Sequence, residues 1–207
     1  MKKIFALISA LVLTIAATGQ TLNVKVGNVI YQYPASQTGE MTYSNGTTLT
    51  IMDKTFTHSE IDAMTVDNAE VTDNRVTVEY ESSSAKVYVA GNVAKYVSPT
   101  INGAHVTIAQ SNTSAVDDDE ITYQLSGTTS NGSLSLSGSY KCTVSLAGVT
   151  MTNPSGAAIN ITNSKRIQIS AKKGTVNTLA DGANGSQKAC IYSTSLFKAS
   201  FSPTINA

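Results

Sequence analysis

Residues 121–191 repeat one short phrase about three times, and that period restricts the fold more than any other feature of the chain. The phrase is "YQLSG" at 123–127, "VSLAG" at 144–148 and "IQISA" at 167–171. Leu125 and Leu146 lie 21 residues apart, and Leu146 and Ile169 lie 23 apart. Such spacings suit one coil of a stacked solenoid per repeat. Between and around these phrases run short alternating strands whose apolar phase is Leu134 and Leu136, Val144 and Leu146, Ile159 and Ile161, and Ile167 and Ile169. In stacked coils those side chains form internal columns, and backbone hydrogen bonds run from coil to coil. A sandwich of hairpins would use similar strands but gives no reason for one phrase to recur at a fixed interval. The expectation is an all-β chain whose C-terminal part is a short right-handed parallel β-helix, with Leu125, Leu146 and Ile169 stacked as neighbours.

The region before this repeat follows different rules. Lys2 and Lys3 precede an apolar run from Ile4 to Ala17, and Thr18, Gly19 and Gln20 follow it, which is the pattern of a cleavable export signal. That run is too short to anchor the chain, and no later stretch nears the roughly 20 apolar residues of a membrane span. The expected product is exported, as a periplasmic, surface or secreted protein, with no membrane insertion after cleavage. Residues 20–98 carry half-buried alternation around Val24, Val26, Tyr31 and Tyr33. A hairpin signal lies at Asn45-Gly46, a short helical turn at 58–64 with Ser59 as a possible cap, and two clean strands at 75–80 and 85–91. The domain layout expected is a signal at 1–19, a small antiparallel β module at 20–98, and the β-helix at 99–207. Pro99 and Asn102-Gly103 mark the boundary.

Without Lys2 and Lys3 the chain has 12 basic against 14 acidic side chains, so it lacks the basic excess that binding a phosphate backbone requires. Nucleic acid is therefore not an expected partner. Ser, Thr, Asn and Gly are abundant, and charged residues are only 14% of the chain, which suits an outer surface of hydroxyl and amide groups. Strand parity turns Cys142 inward and Cys190 outward, against a disulfide between them.

The phrases "GSYKCTVSLAGVTMTNPSGAAINI" at 138–161, "SKRIQIS" at 164–170 and "GTVNTLADG" at 174–182 are similar to Bacteroidetes and clostridial carbohydrate-binding domains of the cellulose- and acidic-sugar-binding β-helix type. That family resembles pectate lyases in fold, binds calcium and is regarded as non-catalytic. The resemblance covers roughly residues 121–191. Its members usually continue through several more coils, so the resemblance implies a chain truncated at its C-terminus with an open last coil. The N-terminal module resembles small β modules of secreted Bacteroidetes proteins.

Candidate binding residues follow from chemistry and from this resemblance. Tyr123, Tyr140 and Tyr192 are the aromatic residues in or beside the repeats, and each is either a stacking platform for a pyranose or a packed rim residue. Lys165 and Arg166, with Lys172 and Lys173 nearby, form either a basic patch for acidic sugars or a solvated coil edge. For calcium, the resemblance points to Asp181 and Asn177; the alternative makes Asn177 an amide that ties coils together and Asp181 a turn former. The run Asp117–Asp119 reads as a solvated loop.

Catalysis finds little support. Neither His58 nor His105 sits in a zinc spacing, no Gly-x-Ser-x-Gly elbow occurs, and the chain from Ile121 onward holds one aspartate, Asp181, and no glutamate. No catalytic residue is expected. The leading expectation is an exported, non-enzymatic polysaccharide-binding protein, calcium-assisted as the resemblance implies. Two alternatives stand beside it: a remnant of a polysaccharide lyase of the pectate-lyase type, and a structural or adhesin module of the solenoid kind.

Overall fold

The structure is a computed structural model and describes residues 19–39, 41–182, 185, 187, 189–194 and 197–200. The expected export signal lies outside the described residues, apart from Gly19. Among the described residues eighteen strands run in chain order: β1 Thr21–Val26, β2 Val29–Pro34, β3 Thr42–Ser44, β4 Thr48–Ile51, β5 Lys54–Thr57, β6 Ala63–Asp67, β7 Arg75–Glu81, β8 Ser84–Ala90, β9 Val97–Asn102, β10 Ala104–Gln110, β11 Ile121–Thr129, β12 Gly132–Gly138, β13 Cys142–Asn153, β14 Ile159–Ile161, β15 Ile167–Ala171, β16 Thr178–Asp181, β17 Ile191–Ser193 and β18 Phe197–Ser200. Helix among the described residues is limited to the 3-10 turns His58–Glu60 and Gly91–Tyr96. The chain is all-β, as its alternation requires, and no described helix is long and apolar enough to cross a membrane.

The strands form one ten-stranded sheet, one five-stranded sheet and one three-stranded sheet. In the large sheet, β11, β13, β15 and β18 pair in parallel in that order. In the five-stranded sheet, β10, β12, β14 and β17 also pair in parallel, while β9 closes the edge against β10 in the antiparallel sense. Successive strands from β10 to β15 thus alternate between two parallel ladders. The sheets face one another: the Tyr80 hydroxyl on β7 donates to the Ser133 carbonyl on β12 at 3.1 Å. Apolar side chains from all three sheets belong to one core.

The apolar phase of each strand builds the expected columns, since residues in register on parallel strands point the same way. Ile121, Cys142 and Ile167 stack, and so do Tyr123, Val144 and Ile169. On the facing sheet Val106, Leu134, Ile159 and Ile191 form one column, and Ile108, Leu136 and Ile161 the next. Nearly all of these side chains are fully buried. Burying each one stabilises the fold by about 1.5–3 kcal/mol before chain entropy is counted.

One expected stack is corrected. Leu125 and Leu146 are register partners, but Leu146 is followed by Ala171, and Ile169 lies against Val144. The third strand sits two residues away from the alignment that the phrase suggests. Extra residues before β15 explain the shift: register partners Ile121 and Cys142 lie 21 residues apart but Cys142 and Ile167 lie 25 apart, because β13 carries a bulge at Ala147-Gly148 and the turn from β13 to β14 is longer than that from β11 to β12. The Lys172 amide accordingly donates to the Leu146 carbonyl at 2.8 Å.

The N-terminal module also departs from expectation, because its sheet is mixed rather than antiparallel. β1 with β2, β1 with β6, and β7 with β8 are antiparallel, while β2 with β8 is parallel. In addition β7 pairs in parallel with β11, which joins the module to the later strands in one sheet. The reason lies in side-chain phase: Val76, Val78 and Tyr80 point to the same core as Tyr123 and Leu125, so the free edge of β7 continues the ladder. The expected boundary at 98/99 falls within β9.

The hairpin at Asn45-Gly46 forms with both residues at positive φ, but its loop holds three residues, since Ser44 pairs with Thr48. The short helical turn at 58–60 is present, and Ser59 does not cap it; Thr57 occupies that position. Cys142 is buried, Cys190 is half-buried, and both are free thiols.

Candidate functional site

A face for a ligand arises wherever strands stand in register and alternate residues point outward. On the five-stranded sheet most outward residues are polar, Ala109 on β10 being an exception. Thr100 on β9 pairs with Thr107 on β10, Thr107 with Ser135 on β12, Ser135 with Asn160 on β14, and Asn160 with Tyr192 on β17. Four inter-strand gaps of about 4.8 Å make this row about 19 Å long. It carries three hydroxyls, an amide and, at its end, an aromatic ring. Tyr192 is 38% exposed, the most exposed aromatic among the described residues. The Asn160 Oδ1 atom beside it is shielded and has no hydrogen-bond partner.

A second row runs beside the first. His105 pairs in register with Asn102 and Ser133, and His105 Nδ1 lies 2.9 Å from Ser133 Oγ. At this end the face opens into a cleft of about 270 Å³ lined by Ser83, Asn102, His105, Ser130 and Asn131. Donors and acceptors in register, a shallow groove and one exposed ring suit a chain of hydroxyl groups. No carboxylate or lysine stands in either row.

The expected binding residues do not gather in one place. Tyr123 is a correction: its phase is that of Ile121 and Leu125, so it is 0% exposed, and its hydroxyl donates to Gln110 Oε1 at 2.8 Å inside the core. Burial pushes its phenol well above the usual tyrosine range. It offers no platform to a ligand. Tyr140 is half-buried on the turn between β12 and β13, with the Lys141 ammonium 5.8 Å from its ring centre.

Lys165 and Arg166 lie on the turn between β14 and β15, tied to the previous one by Asn163 Nδ2 donating to the Tyr140 carbonyl at 2.8 Å. Tyr140, Lys165 and Arg166 therefore share a corner of the molecule. Lys165 is exposed, but Arg166 is engaged with Glu120 at 3.4 Å. Glu120 also accepts from the Thr143 hydroxyl at 2.7 Å, so this corner is partly neutralised from within.

The proposed calcium pair does not fit the ion. Asn177 Oδ1 accepts from the Gly148 amide at 2.8 Å and the Val149 amide at 3.0 Å, which occupies both of its lone pairs. Asn177 Nδ2 donates to the Thr175 hydroxyl at 3.1 Å. Its role is to hold the bulge at Ala147-Gly148, where two residues of β13 oppose one of β11. Asp181 is exposed at the end of β16, in register with Asn153. The Asn153 side chain is committed to its own turn, donating to Ala157 and accepting from Ser155. Calcium asks for about six to eight oxygens, and among the described residues no three His, Cys, Asp or Glu side chains converge.

The residues that make the face, Thr100, Thr107, Ser135 and Asn160, were readable from sequence only as a class of outward polar groups. Their signal is the alternate position in "HVTIAQ", "SLSLSG" and "AINIT", but choosing this sheet over the other requires the register.

Residues 102–199, just under half of the chain, match the model of a family described as "Carbohydrate-binding domain-containing protein". The match contains Thr107, Ser135, Asn160 and Tyr192. A solved structure described as "Structure of the polysaccharide lyase-like protein from C. thermocellum, Gadolinium derivative" is 19% identical, with a TM-score of 0.46. The similarity covers 61% of this chain and 48% of that one, so this chain spans about half the length of that protein. No curated protein matches.

Proposed function

We propose that this chain is an exported, non-catalytic polysaccharide-binding protein whose C-terminal strands coil as a short parallel β-helix. The alternation of strands between two parallel ladders supports the coil, and the general preference of parallel crossovers makes it right-handed. The ligand lies along the outer face of β9, β10, β12, β14 and β17. One observation carries this reading: Thr100, Thr107, Ser135, Asn160 and Tyr192 stand in register as an unbroken polar row ending in an exposed ring. The family match, which covers β10, β12, β14 and β17, supports a sugar as the ligand.

The row is uncharged, so it suits a neutral glycan better than an acidic one. Acidic sugars would instead meet Lys141 and Lys165 at the corner. In this reading Asn177 serves the backbone amides of Gly148 and Val149 rather than calcium.

Thermal melting of the mature protein with neutral and acidic polysaccharides, each with calcium and with EDTA, tests the proposal. A neutral glycan at a hundred times its dissociation constant should stabilise the protein by about 2.7 kcal/mol. The Asn160→Ala and Tyr192→Ala variants should lose the part of that stabilisation that comes from this face. Release of unsaturated, ultraviolet-absorbing uronides would show catalysis instead, and would refute a purely binding role.

A further inference from the structure

The opposite outer face of the molecule, on the large sheet, holds a second polar row and a cleft that the first site does not use. Tyr88 on β8 pairs with Thr77 on β7, Thr77 with Gln124 on β11, Gln124 with Ser145 on β13, and Ser145 with Ser170 on β15. All five residues are half-buried and occupy the outward phase of their strands. The row ends in a cleft of about 110 Å³ whose lining includes Gln32, Glu70, Arg75, Thr77 and Tyr88.

Arg75 is the informative member. Its Nε atom is buried without a hydrogen-bond partner, and it forms no ion pair among the described residues. A shielded guanidinium N–H with nothing to donate to is destabilising, so an arginine in this state marks a place where an acceptor is missing. Glu70 lines the same cleft and opposes an anion. Arginine as donor, Glu70 as acceptor, the Gln32 amide and the Tyr88 ring together match vicinal hydroxyls on a sugar. Gln32 is steadied by donating to Asn23 Oδ1 at 3.1 Å.

We infer that the Arg75–Tyr88 cleft seats one ring of a neutral glycan whose neighbouring rings run along Thr77, Gln124, Ser145 and Ser170. This site rests on the polysaccharide-binding reading but lies on the other sheet. Its key residues fall outside the stretch matched to the carbohydrate-binding family. With a glycan on each outer face, one protein molecule would bridge two polysaccharide strands.

Calorimetric titration with cellotetraose, and with tetragalacturonate as the acidic control, tests it. Proton–nitrogen correlation spectra that follow the Arg75 Nε–H signal accompany the titration. Two equivalents of cellotetraose should bind, the Nε–H signal should shift, and Arg75→Ala or Tyr88→Ala should weaken one equivalent at least tenfold. Arg75→Lys, which keeps the charge but lacks the Nε donor, should weaken it similarly with an unchanged melting temperature.

An unmoved Nε–H signal with unchanged stoichiometry in Arg75→Ala would overturn the inference, while loss of binding in Asn160→Ala would leave the first face standing. Loss of binding in Arg75→Ala alone would keep this site and remove the first. Silence from every saccharide would remove both.

Discussion

The hydroxyl of Tyr123 donates to Gln110 Oε1 at 2.8 Å across the interior, linking the two facing sheets through side chains that are 0% and 4% exposed. Gln110 Nε2 reaches on to the Tyr140 carbonyl at 3.5 Å, a weak contact that extends this polar seam to the corner. Replacing Tyr123 by Phe would leave the Gln110 oxygen buried without its donor. The expected loss is about 1–3 kcal/mol of stability, read by denaturant melting, with glycan affinity unchanged. A loss of affinity at unchanged stability would place Tyr123 in a binding site after all.

Two corner glycines that look alike in sequence should respond differently to substitution. Gly127 and Gly148 both adopt positive φ, at 86° and 90°. A Cβ on Gly127 would meet the Tyr80 carbonyl oxygen at 2.2 Å, whereas one on Gly148 meets nothing within 4 Å. Gly148→Ala should cost about 1–2 kcal/mol, the penalty of a left-handed residue alone. Gly127→Ala adds a backbone clash and should cost clearly more. Equal melting temperatures for the two variants would contradict the packing of β11 on β7.

Much of the strand pattern was legible because burial imposes parity on sequence. The inward columns of Leu134 and Leu136, Val144 and Leu146, and Ile159 and Ile161 follow from alternation alone, and the inward Cys142 follows with them. The register of the third strand did not follow. Anchoring on the aliphatic residue of "IQISA" places Ile169 beside Leu146, while the bulge at Ala147-Gly148 and the longer turn between β13 and β14 put the small Ala171 there. Tyr123 stayed open between platform and packed residue because a tyrosine is amphipathic; in the fold it shares the inward phase of Leu125, and the buried acceptor on Gln110 makes that position tolerable. The joining of β7 to β11 was hidden for another reason. Parallel pairing between distant segments leaves no turn signal between them.

Asn177 gives a prediction that separates a structural amide from a metal ligand. Asn177→Ala leaves the Gly148 and Val149 amides without an acceptor and should lower stability by about 1–2 kcal/mol. The loss should be the same in calcium and in EDTA. A penalty that appears only in calcium would make Asn177 a ligand of the ion.

Alkaline pH should unfold the protein cooperatively. Burial raises the phenols of Tyr33, Tyr80 and Tyr123 and the thiol of Cys142 above their ordinary values. Below the unfolded-state values, about 8.5 for the thiol and about 10 for a phenol, both states hold these protons and stability is flat. Above them the unfolded chain releases protons that the native chain keeps, so stability falls by about 1.4 kcal/mol per pH unit for each group. Phenolate absorbance from Tyr33, Tyr80 and Tyr123 should therefore appear only with unfolding. A single smooth titration of all nine tyrosines below the unfolding pH would contradict their burial.

The most direct measurement of the account is a backbone amide map in solution NMR during titration with a soluble neutral oligosaccharide. Shifts should concentrate on Thr100, Thr107, Ser135, Asn160 and Tyr192, with any second cluster confined to Arg75, Tyr88, Thr77, Gln124, Ser145 and Ser170. Shifts concentrated on the three-stranded sheet or at the Lys165 corner, with none along β10, β12 and β14, would contradict it.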